Sequence, residues 1–173
     1  PDLVLPLITK YNKIPMGWYE LTKANISEQT LLQYWAKEED FSKVNPKKSK
    51  ILISAASYCY LDMKYDSITN LGLSWAGYLP IKKAYEWDPR NLVEKFDSKQ
   101  IIGLEAPLWS ETIENFDDIS YMAFPRIIGY AEIGWTSHIQ RDWKDYSNRL
   151  SFHGPLLESL KLKYYPANEI DWK

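Results

Sequence analysis

Four short runs, at 14–19, 30–35, 50–57 and 100–109, have the composition of β-strands, and three of them are apolar at nearly every position. A half-exposed strand alternates apolar and polar residues, whereas a strand of a parallel sheet is covered on both faces and is apolar throughout. Helical patterns lie between and after these runs, and apolar strands that alternate with helices are typical of a parallel sheet. The sequence therefore predicts an α/β fold with four parallel strands.

The helical patterns fall at 2–13, 35–43, 79–87, 117–135 and roughly 143–160. In the fourth, Asp117 or Asp118 is the expected N-cap, and Pro125 is expected to bend or split the helix because proline lacks a backbone N–H. Five residues form its predicted buried stripe at helical spacing: Ile119, Met122, Ala123, Ile127 and Tyr130.

Charge and composition exclude several classes of function. The net charge is −2, with acidic and basic residues interspersed, so we expect no nucleic-acid partner. No apolar run reaches the roughly 18 residues of a membrane span, so we expect no membrane partner. Cys59 is the single cysteine, and no His, Asp or Glu cluster has metal-ligand spacing. The sequence thus predicts neither a metal nor any other cofactor.

Aromatic and acidic residues gather where the strand-like runs end. Aromatics make up 15% of the chain, with eight Trp and thirteen Tyr. In a strand, residues i and i+2 point to the same face, and ligands of parallel α/β folds bind at the carboxyl ends of the strands. We therefore expect a pocket for a polar, ring-shaped ligand, and a sugar fits best. The residues at the four ends are Trp18 with Glu20, Trp35, Tyr60 with Asp62, and Trp109 with Glu111.

Seven segments, in order along the chain, resemble glycoside hydrolase family 20, the β-N-acetylhexosaminidases, in its bacterial secreted-type members. They are GWYEL, LLQYW, SYCYLDMKYD, LGLSWAGY, YEWDP, GLEAPLWSET and MAFPRIIGYAEIGW. The resemblance implies a (β/α)8 TIM barrel of which this chain is the second half, strands 5–8. Residues 1–173 would then be one partial domain, the C-terminal half of the catalytic barrel.

The resemblance also implies a mechanism. Most retaining glycosidases use two carboxylates, but this family is an exception in which the substrate assists. The 2-acetamido oxygen of the sugar attacks the anomeric carbon and forms an oxazolinium ion, while a Glu acts as general acid and the preceding Asp holds the acetamido nitrogen. The His-x-Gly-Gly-Asp-Glu motif that carries this pair is absent from the sequence, as is the family's arginine for the sugar hydroxyls.

The residues present match the other side of the family's pocket. Tyr60 matches a tyrosine that donates to the acetamido oxygen, so it is the candidate catalytic residue, with an oxyanion-hole type of role. Asp62 and Glu111 match acids that accept hydrogen bonds from the 4- and 6-hydroxyls. Four indoles complete the substrate-binding set: Trp18, Trp35 and Trp109 around the acetamido methyl group and the sugar face, and Trp75 at the outer edge near the leaving group's subsite.

Other polar residues have structural interpretations. Glu20 is at a position that varies in kind in this family, and Cys59 is expected to pack away from Tyr60 by strand alternation. The remaining expectations are a solvated His138, a turn at His153, and a buried ion pair between Arg126 and Glu132.

Three readings of function stay open. The first is part of a retaining exo-β-N-acetylhexosaminidase that removes terminal N-acetylglucosamine or N-acetylgalactosamine, with this chain alone inactive. The second is a non-catalytic sugar-binding fragment, and the third is a structural half-barrel. The partner would be the missing N-terminal half of the barrel or a second copy, because a half-barrel exposes two strand edges. Localisation stays open, although the resemblance favours a secreted or periplasmic protein with any signal upstream.

Overall fold

The computed structural model describes residues 1, 3–36, 49–92 and 96–173. These residues form two compact units. The first unit comprises Pro1–Ala55 and Pro89–Glu105, and the second comprises Ala56–Asp88 and Ala106–Lys173. The helix predicted at 35–43 falls almost entirely outside the described residues, so it stays a prediction.

The first unit contains a four-stranded sheet in which every neighbouring pair is parallel. This confirms the α/β fold with a parallel sheet. The inner strands supply the core, because Leu32, Tyr34, Ile51 and Ile53 are buried. In sheet order, which is also chain order, the strands are β1 (Met16–Trp18), β2 (Leu31–Tyr34), β3 (Ile51–Ile53) and β4 (Ile101–Leu104).

The strands end sooner than the apolar runs predict. The last β3–β4 pair is Ile53 with Leu104, and beyond β3 the chain turns into the short helix α2 (Ala56–Cys59). The two predicted pairs, Tyr60 with Asp62 and Trp109 with Glu111, therefore lie in loops. The argument from strand alternation is wrong for them, and also for Cys59, which is buried as the last residue of α2.

The first unit begins with helix α1 (Val4–Lys10), which lies within the helix predicted at 2–13. None of its residues is buried. Its apolar side chains Val4 and Leu7, and Leu3 before it, are each more than half exposed. The helix therefore carries an exposed apolar surface.

The second unit contains α2 and five further helices among its residues. Pro125 splits the long helix, as predicted. The predicted N-cap is wrong, because the side chain of Asn115 accepts the backbone N–H of Asp118. The helices are α3 (Ile81–Glu86), α4 (Phe116–Ala123), α5 (Arg126–Trp135), α6 (Trp143–Ser151) and α7 (Gly154–Ser159).

Two further helix predictions need correction. Met122, Ala123 and Tyr130 are buried, but Ile119 and Ile127 are exposed, because the break at Pro125 leaves two helices that do not share one continuous helical phase. The single helix at 143–160 is also wrong, since the chain turns between α6 and α7, where a proline stands in the first turn of α7.

Arg126 organises the second unit. Its guanidinium is buried and donates to the carbonyl oxygens of Leu61 (2.6 Å), Met63 (2.8 Å), Leu79 (3.2 Å) and Met122 (2.8 Å). Charge-assisted bonds of this kind are stronger than neutral ones. Arg126 therefore holds both ends of the loop between α2 and α3 against α4.

The predicted ion pair of Arg126 with Glu132 is wrong. Glu132 instead pairs with Arg149 at 2.8 Å and accepts the hydroxyl of Tyr85 at 2.7 Å. The pKa of Glu132 is lowered, first by its hydrogen bonds from Arg149. Arg126 therefore donates to backbone oxygens, whereas Glu132 binds side chains of two neighbouring helices, α3 and α6.

Candidate functional site

Tyr60 lies between two indoles of the second unit. Its ring centroid is 6.0 Å from that of Trp109, with tilted planes, and 6.1 Å from that of Trp75, edge-on. Tyr60 is buried, whereas Trp109 is 39% exposed and Trp75 is 47% exposed. The cluster thus presents two accessible aromatic faces beside one phenol.

A backbone hydrogen bond holds the two segments of this cluster together. The N–H of Leu61 donates to the carbonyl oxygen of Pro107 at 2.7 Å. These residues adjoin Tyr60 in one segment and precede Trp109 in the other. The sequence-predicted residues Tyr60 and Trp109 are therefore neighbours because their backbones are paired, although neither belongs to a strand.

Asp62 is 2% exposed, and neither of its carboxylate oxygens accepts a hydrogen bond of normal geometry from the described residues. Its pKa is raised from 3.8 to about 6, first by burial and also by the nearby Glu111 carboxylate. The backbone N–H groups of Asp62 and Trp109 and the charge of Arg126 oppose this rise in pKa. Buried polar groups in proteins normally have partners, so Asp62 is an acceptor available to a ligand hydroxyl.

The loop after Asp62 doubles back on itself. The N–H of Leu73 donates to the carbonyl oxygen of Asp62, and the N–H of Lys64 donates to that of Leu73, both at 2.8 Å. Between them, Gly72 has φ +94°, and its N–H donates to Thr112 Oγ1 at 3.0 Å. Thr112 follows Glu111 directly, so this contact ties the Asp62 loop to the segment that carries Glu111.

The first unit holds the other two candidate indoles. Trp18 is the last residue of β1 and is 36% exposed. Trp35 follows β2 directly, and its indole Nε1–H donates to Glu20 Oε1 at 2.9 Å. Glu20 therefore contacts a candidate substrate-binding residue. The sequence analysis gave Glu20 a structural role and did not predict this contact.

Sequence reasoning missed a polar cluster at the carboxyl ends of three strands. Gln33 of β2 donates to Ser54 Oγ at 3.1 Å and also to Glu105 Oε2. Ser54 Oγ donates to the same carboxylate oxygen at 3.0 Å. Ser54 and Glu105 directly follow β3 and β4, so the cluster joins three neighbouring strand ends. The available signal was a polar residue within or just after each apolar run.

The histidines lie where the sequence predicts them. His138 is exposed, and His153 lies in the turn between α6 and α7. Among the described ranges, no group of three or more His, Cys, Asp or Glu side chains could hold a metal ion. In the same part of the chain, no helix combines the length and the apolar character that crossing a membrane requires.

The second-unit cluster offers a phenol donor, carboxylate acceptors and indole faces. Carboxylates accept hydrogen bonds from hydroxyl groups, and indole faces pack against apolar surfaces. A sugar ring has both an edge of hydroxyls and an apolar face. The five predicted residues of this unit, Tyr60, Asp62, Trp75, Trp109 and Glu111, therefore suit a neutral, polyhydroxylated, ring-shaped ligand.

Comparison with known proteins gives consistent matches. The family model described as glycosyl hydrolase family 20, catalytic domain, matches residues 2–138. A β-N-acetylhexosaminidase of Cellulomonas fimi is 34% identical over 160 residues, which cover 91% of this chain and 32% of that protein. The chain thus spans about a third of the length of this curated relative.

Solved structures agree with the sequence matches. A family 20 β-N-acetylhexosaminidase from Streptomyces coelicolor A3(2) has a TM-score of 0.92 and 36% identity, covering 98% of this chain and 36% of that one. A mutant Streptomyces plicatus β-hexosaminidase, in complex with its product GlcNAc, has a TM-score of 0.91 and 36% identity, covering 97% of this chain and 35% of that one.

Proposed function

The chain belongs to glycosyl hydrolase family 20, and from that premise we propose that it is the substrate-holding part of a retaining exo-β-N-acetylhexosaminidase. It would correspond to strands 5–8 of the family's (β/α)8 barrel. The substrate would be a terminal, β-linked N-acetylglucosamine or N-acetylgalactosamine. The Asp–Glu pair, which the sequence lacks, would come from the remainder of the enzyme.

One observation carries this proposal: the buried Tyr60 and the buried Asp62 carboxylate, which accepts no hydrogen bond of normal geometry from the described residues, occur beside two accessible indoles. Desolvating a carboxylate without a hydrogen bond costs free energy. A sugar hydroxyl that donates to Asp62 would offset this cost. The complex of the Streptomyces plicatus relative with GlcNAc supports the same class of ligand.

In the proposed reaction the acetamido oxygen attacks the anomeric carbon as the bond to the leaving oxygen breaks. The general acid from outside this chain protonates that leaving oxygen. Tyr60 donates its O–H to the acetamido oxygen, which orients this nucleophile and stabilises charge as the oxazolinium ring forms. Water then attacks the anomeric carbon and opens the ring, and its proton returns to the residue that acted as general acid, which restores the acetamido group with net retention.

The other residues act on binding in this proposal. Asp62 and Glu111 accept hydrogen bonds from the 4- and 6-hydroxyls. Trp109 packs against the sugar, and Trp75 lies toward the leaving group's subsite. Trp18 and Trp35 of the first unit keep the role around the acetamido methyl group that the family resemblance implies.

The test measures hydrolysis of three substrates by the protein isolated from its native source. The substrates are the p-nitrophenyl β-glycosides of N-acetylglucosamine, N-acetylgalactosamine and glucose. We expect hydrolysis of the N-acetylglucosaminide or the N-acetylgalactosaminide, and none of the plain glucoside, because the glucoside lacks the acetamido nucleophile. Equal cleavage of the glucoside, or cleavage of neither amino sugar, would overturn the proposal.

A second measurement tests whether the catalytic Asp–Glu pair comes from outside this chain. The 173-residue chain, made alone, should show no turnover because it lacks the Asp–Glu pair. The native protein should have a mass well above the 20.3 kDa of this chain. A native species of 20.3 kDa with full activity would contradict this part of the proposal.

A further inference from the structure

We propose that Glu20 is a positioning residue for Trp35, and that it thereby determines which N-acyl groups the acetamido pocket accepts. This inference rests on the proposed function, since it takes Trp35 as part of that pocket. It concerns a residue to which the family resemblance assigned only a structural role.

The contact between Glu20 and Trp35 joins two neighbouring strand ends. Glu20 lies in the 3₁₀-helix Tyr19–Lys23 that follows β1. Trp35 follows β2, which pairs with β1 so that Trp18 lies opposite Gln33. The indole N–H of Trp35 donates to Glu20 Oε1 at 2.9 Å, which is an ordinary hydrogen-bond length. The parallel register therefore brings the carboxylate to the indole.

A second contact restrains the same indole. The Tyr19 ring centroid lies 6.0 Å from that of Trp35 and 5.0 Å from that of Tyr34. An aromatic side chain turns about its χ1 and χ2 torsions. With its N–H held by a carboxylate and its ring packed against Tyr19, the Trp35 indole has little freedom to rotate.

Burial of the Glu20 carboxylate costs desolvation free energy, and an apolar side chain of similar size would fill the same space without that cost. Glu20 Oε2 is buried and meets no hydrogen-bond partner among the described residues. What the carboxylate adds is a strong, directional acceptor for one N–H. A directional contact indicates a role in orientation.

Orientation of this indole would matter for the acyl group. If the Trp35 indole lies against the acetamido methyl group, the pocket has room for one carbon atom of the acyl chain but not for a second. Hydrophobic pockets discriminate one methylene by about 10- to 200-fold in kcat/KM. A loosened Trp35 should therefore admit the N-propanoyl analogue more readily, whereas general loss of stability should not change this ratio.

The experiment uses the complete enzyme and measures kcat/KM for p-nitrophenyl N-acetyl-β-glucosaminide and for its N-propanoyl analogue. We expect Glu20→Leu to lower the N-acetyl over N-propanoyl ratio by about tenfold. Glu20→Gln, which keeps an acceptor oxygen, should hold the ratio close to that of the wild type. Glu86→Leu is the matched control, because Glu86 is exposed and forms a surface ion pair with Lys82 at 3.8 Å.

A double-mutant cycle tests whether Glu20 acts through Trp35. Trp35→Phe removes the N–H, so adding Glu20→Leu to it should change the ratio no further. Should Glu20→Leu fail to fold, Glu20→Asp keeps the charge but withdraws the acceptor by one methylene, and it should lower the ratio part of the way. An unchanged ratio in Glu20→Leu, or in Glu20→Asp where Glu20→Leu does not fold, would overturn the inference.

The two proposals fail in different ways. A wild-type enzyme that hydrolyses no N-acetylhexosaminide would overturn the proposed function, and this inference with it. A wild-type enzyme that is active, but whose Glu20 variants lose stability with an unchanged acyl ratio, would overturn only the positioning role of Glu20.

Discussion

Single residues of the second unit show how burial tunes a side chain. Asp62 and Arg126 are both buried charges, but Arg126 has four carbonyl acceptors and Asp62 has no hydrogen bond of normal geometry among the described residues. The pKa of Asp62 rises in response to about 6. A residue that costs stability in the free protein is typical of a binding site.

The raised pKa of Asp62 predicts how stability depends on pH. The folded protein binds this proton more tightly than the unfolded chain, whose Asp pKa is near 3.8. The stability that this proton contributes is complete below about pH 4 and is lost as pH rises through about 6. Asp62→Asn removes the titration, so the variant should be more stable than wild type at pH 7.5, by about 3 kcal/mol.

Thermal unfolding of both proteins at several pH values measures this effect. The two melting curves should converge near pH 4, where Asp62 is protonated and resembles the amide. A variant that is less stable than wild type at pH 7.5 would show that Asp62 has a stabilising partner when it is ionised.

Substitution of Tyr60 tests its proposed donor role. Tyr60→Phe keeps the ring between Trp75 and Trp109 but removes the O–H. Loss of one oxyanion-type donor lowers kcat by roughly 10²–10³-fold, and we expect KM to change little. Tyr78→Phe, at an exposed tyrosine of the same loop, is the control. Steady-state kinetics of the complete enzyme separate the outcomes, and an unchanged kcat for Tyr60→Phe would rule out the role.

At the scale of elements, the strands are short and the loops carry the candidate residues. β3 has only three residues. The path of the loop between α2 and α3 is instead set by contacts such as the hydrogen bond from Leu73 N–H to the carbonyl oxygen of Asp62. Gly72 lies where this path packs closely against Asp62 and Met122. A Cβ there would lie 2.7 Å from the Asp62 carbonyl oxygen and 2.5 Å from Met122 Cε.

Two glycines of this loop form a matched pair. Gly72 and Gly77 have nearly equal φ, +94° and +92°, but a Cβ on Gly77 would meet only Lys83 Nζ at 3.9 Å. Gly77→Ala should therefore lose about 1–2 kcal/mol of unfolding free energy from the left-handed backbone alone. Gly72→Ala should lose more and should also reduce activity, because it displaces the Asp62 backbone. Equal losses in chemical denaturation would show that the clash relaxes without cost.

The same elements show what the sequence could predict. Apolar runs predicted four parallel strands because such runs are typical of covered sheets. The ends of the strands depend on hydrogen bonds between distant segments, and no local pattern encodes these. The partners of Arg126 were also unpredictable, because buried arginines are uncommon and its acceptors are backbone oxygens, which every residue has. Asn115 was identifiable as an N-cap from its type, but the neighbouring Asp117 and Asp118 are equally good cap residues.

At the scale of the whole molecule, the chain leaves apolar surface exposed. Leu3, Val4 and Leu7 around α1 are each more than half exposed, and Trp135 at the end of α5 is 93% exposed. β1 and β4 are the edges of the described sheet. Exposed apolar patches and free sheet edges favour association.

We therefore expect the 173-residue chain, made alone, to form dimers or larger aggregates. Size-exclusion chromatography with light scattering over a range of concentrations measures this. Replacement of Leu3 and Leu7 with Glu should shift the distribution toward monomer, because it places charge on the surface of α1, whereas Lys10→Glu controls for added negative charge. A monomer at all concentrations in the unaltered chain would contradict the expectation.

The way Arg126 holds the loop between α2 and α3 has a consequence for sequence variation. Its guanidinium bonds to main-chain oxygens of Leu61, Met63 and Leu79, and those oxygens persist whatever side chains the loop carries. The attachment of the loop therefore does not depend on which side chains the loop carries. Mutational libraries over the exposed loop positions should therefore change the surface of the loop without detaching it, as long as Arg126 is left unchanged.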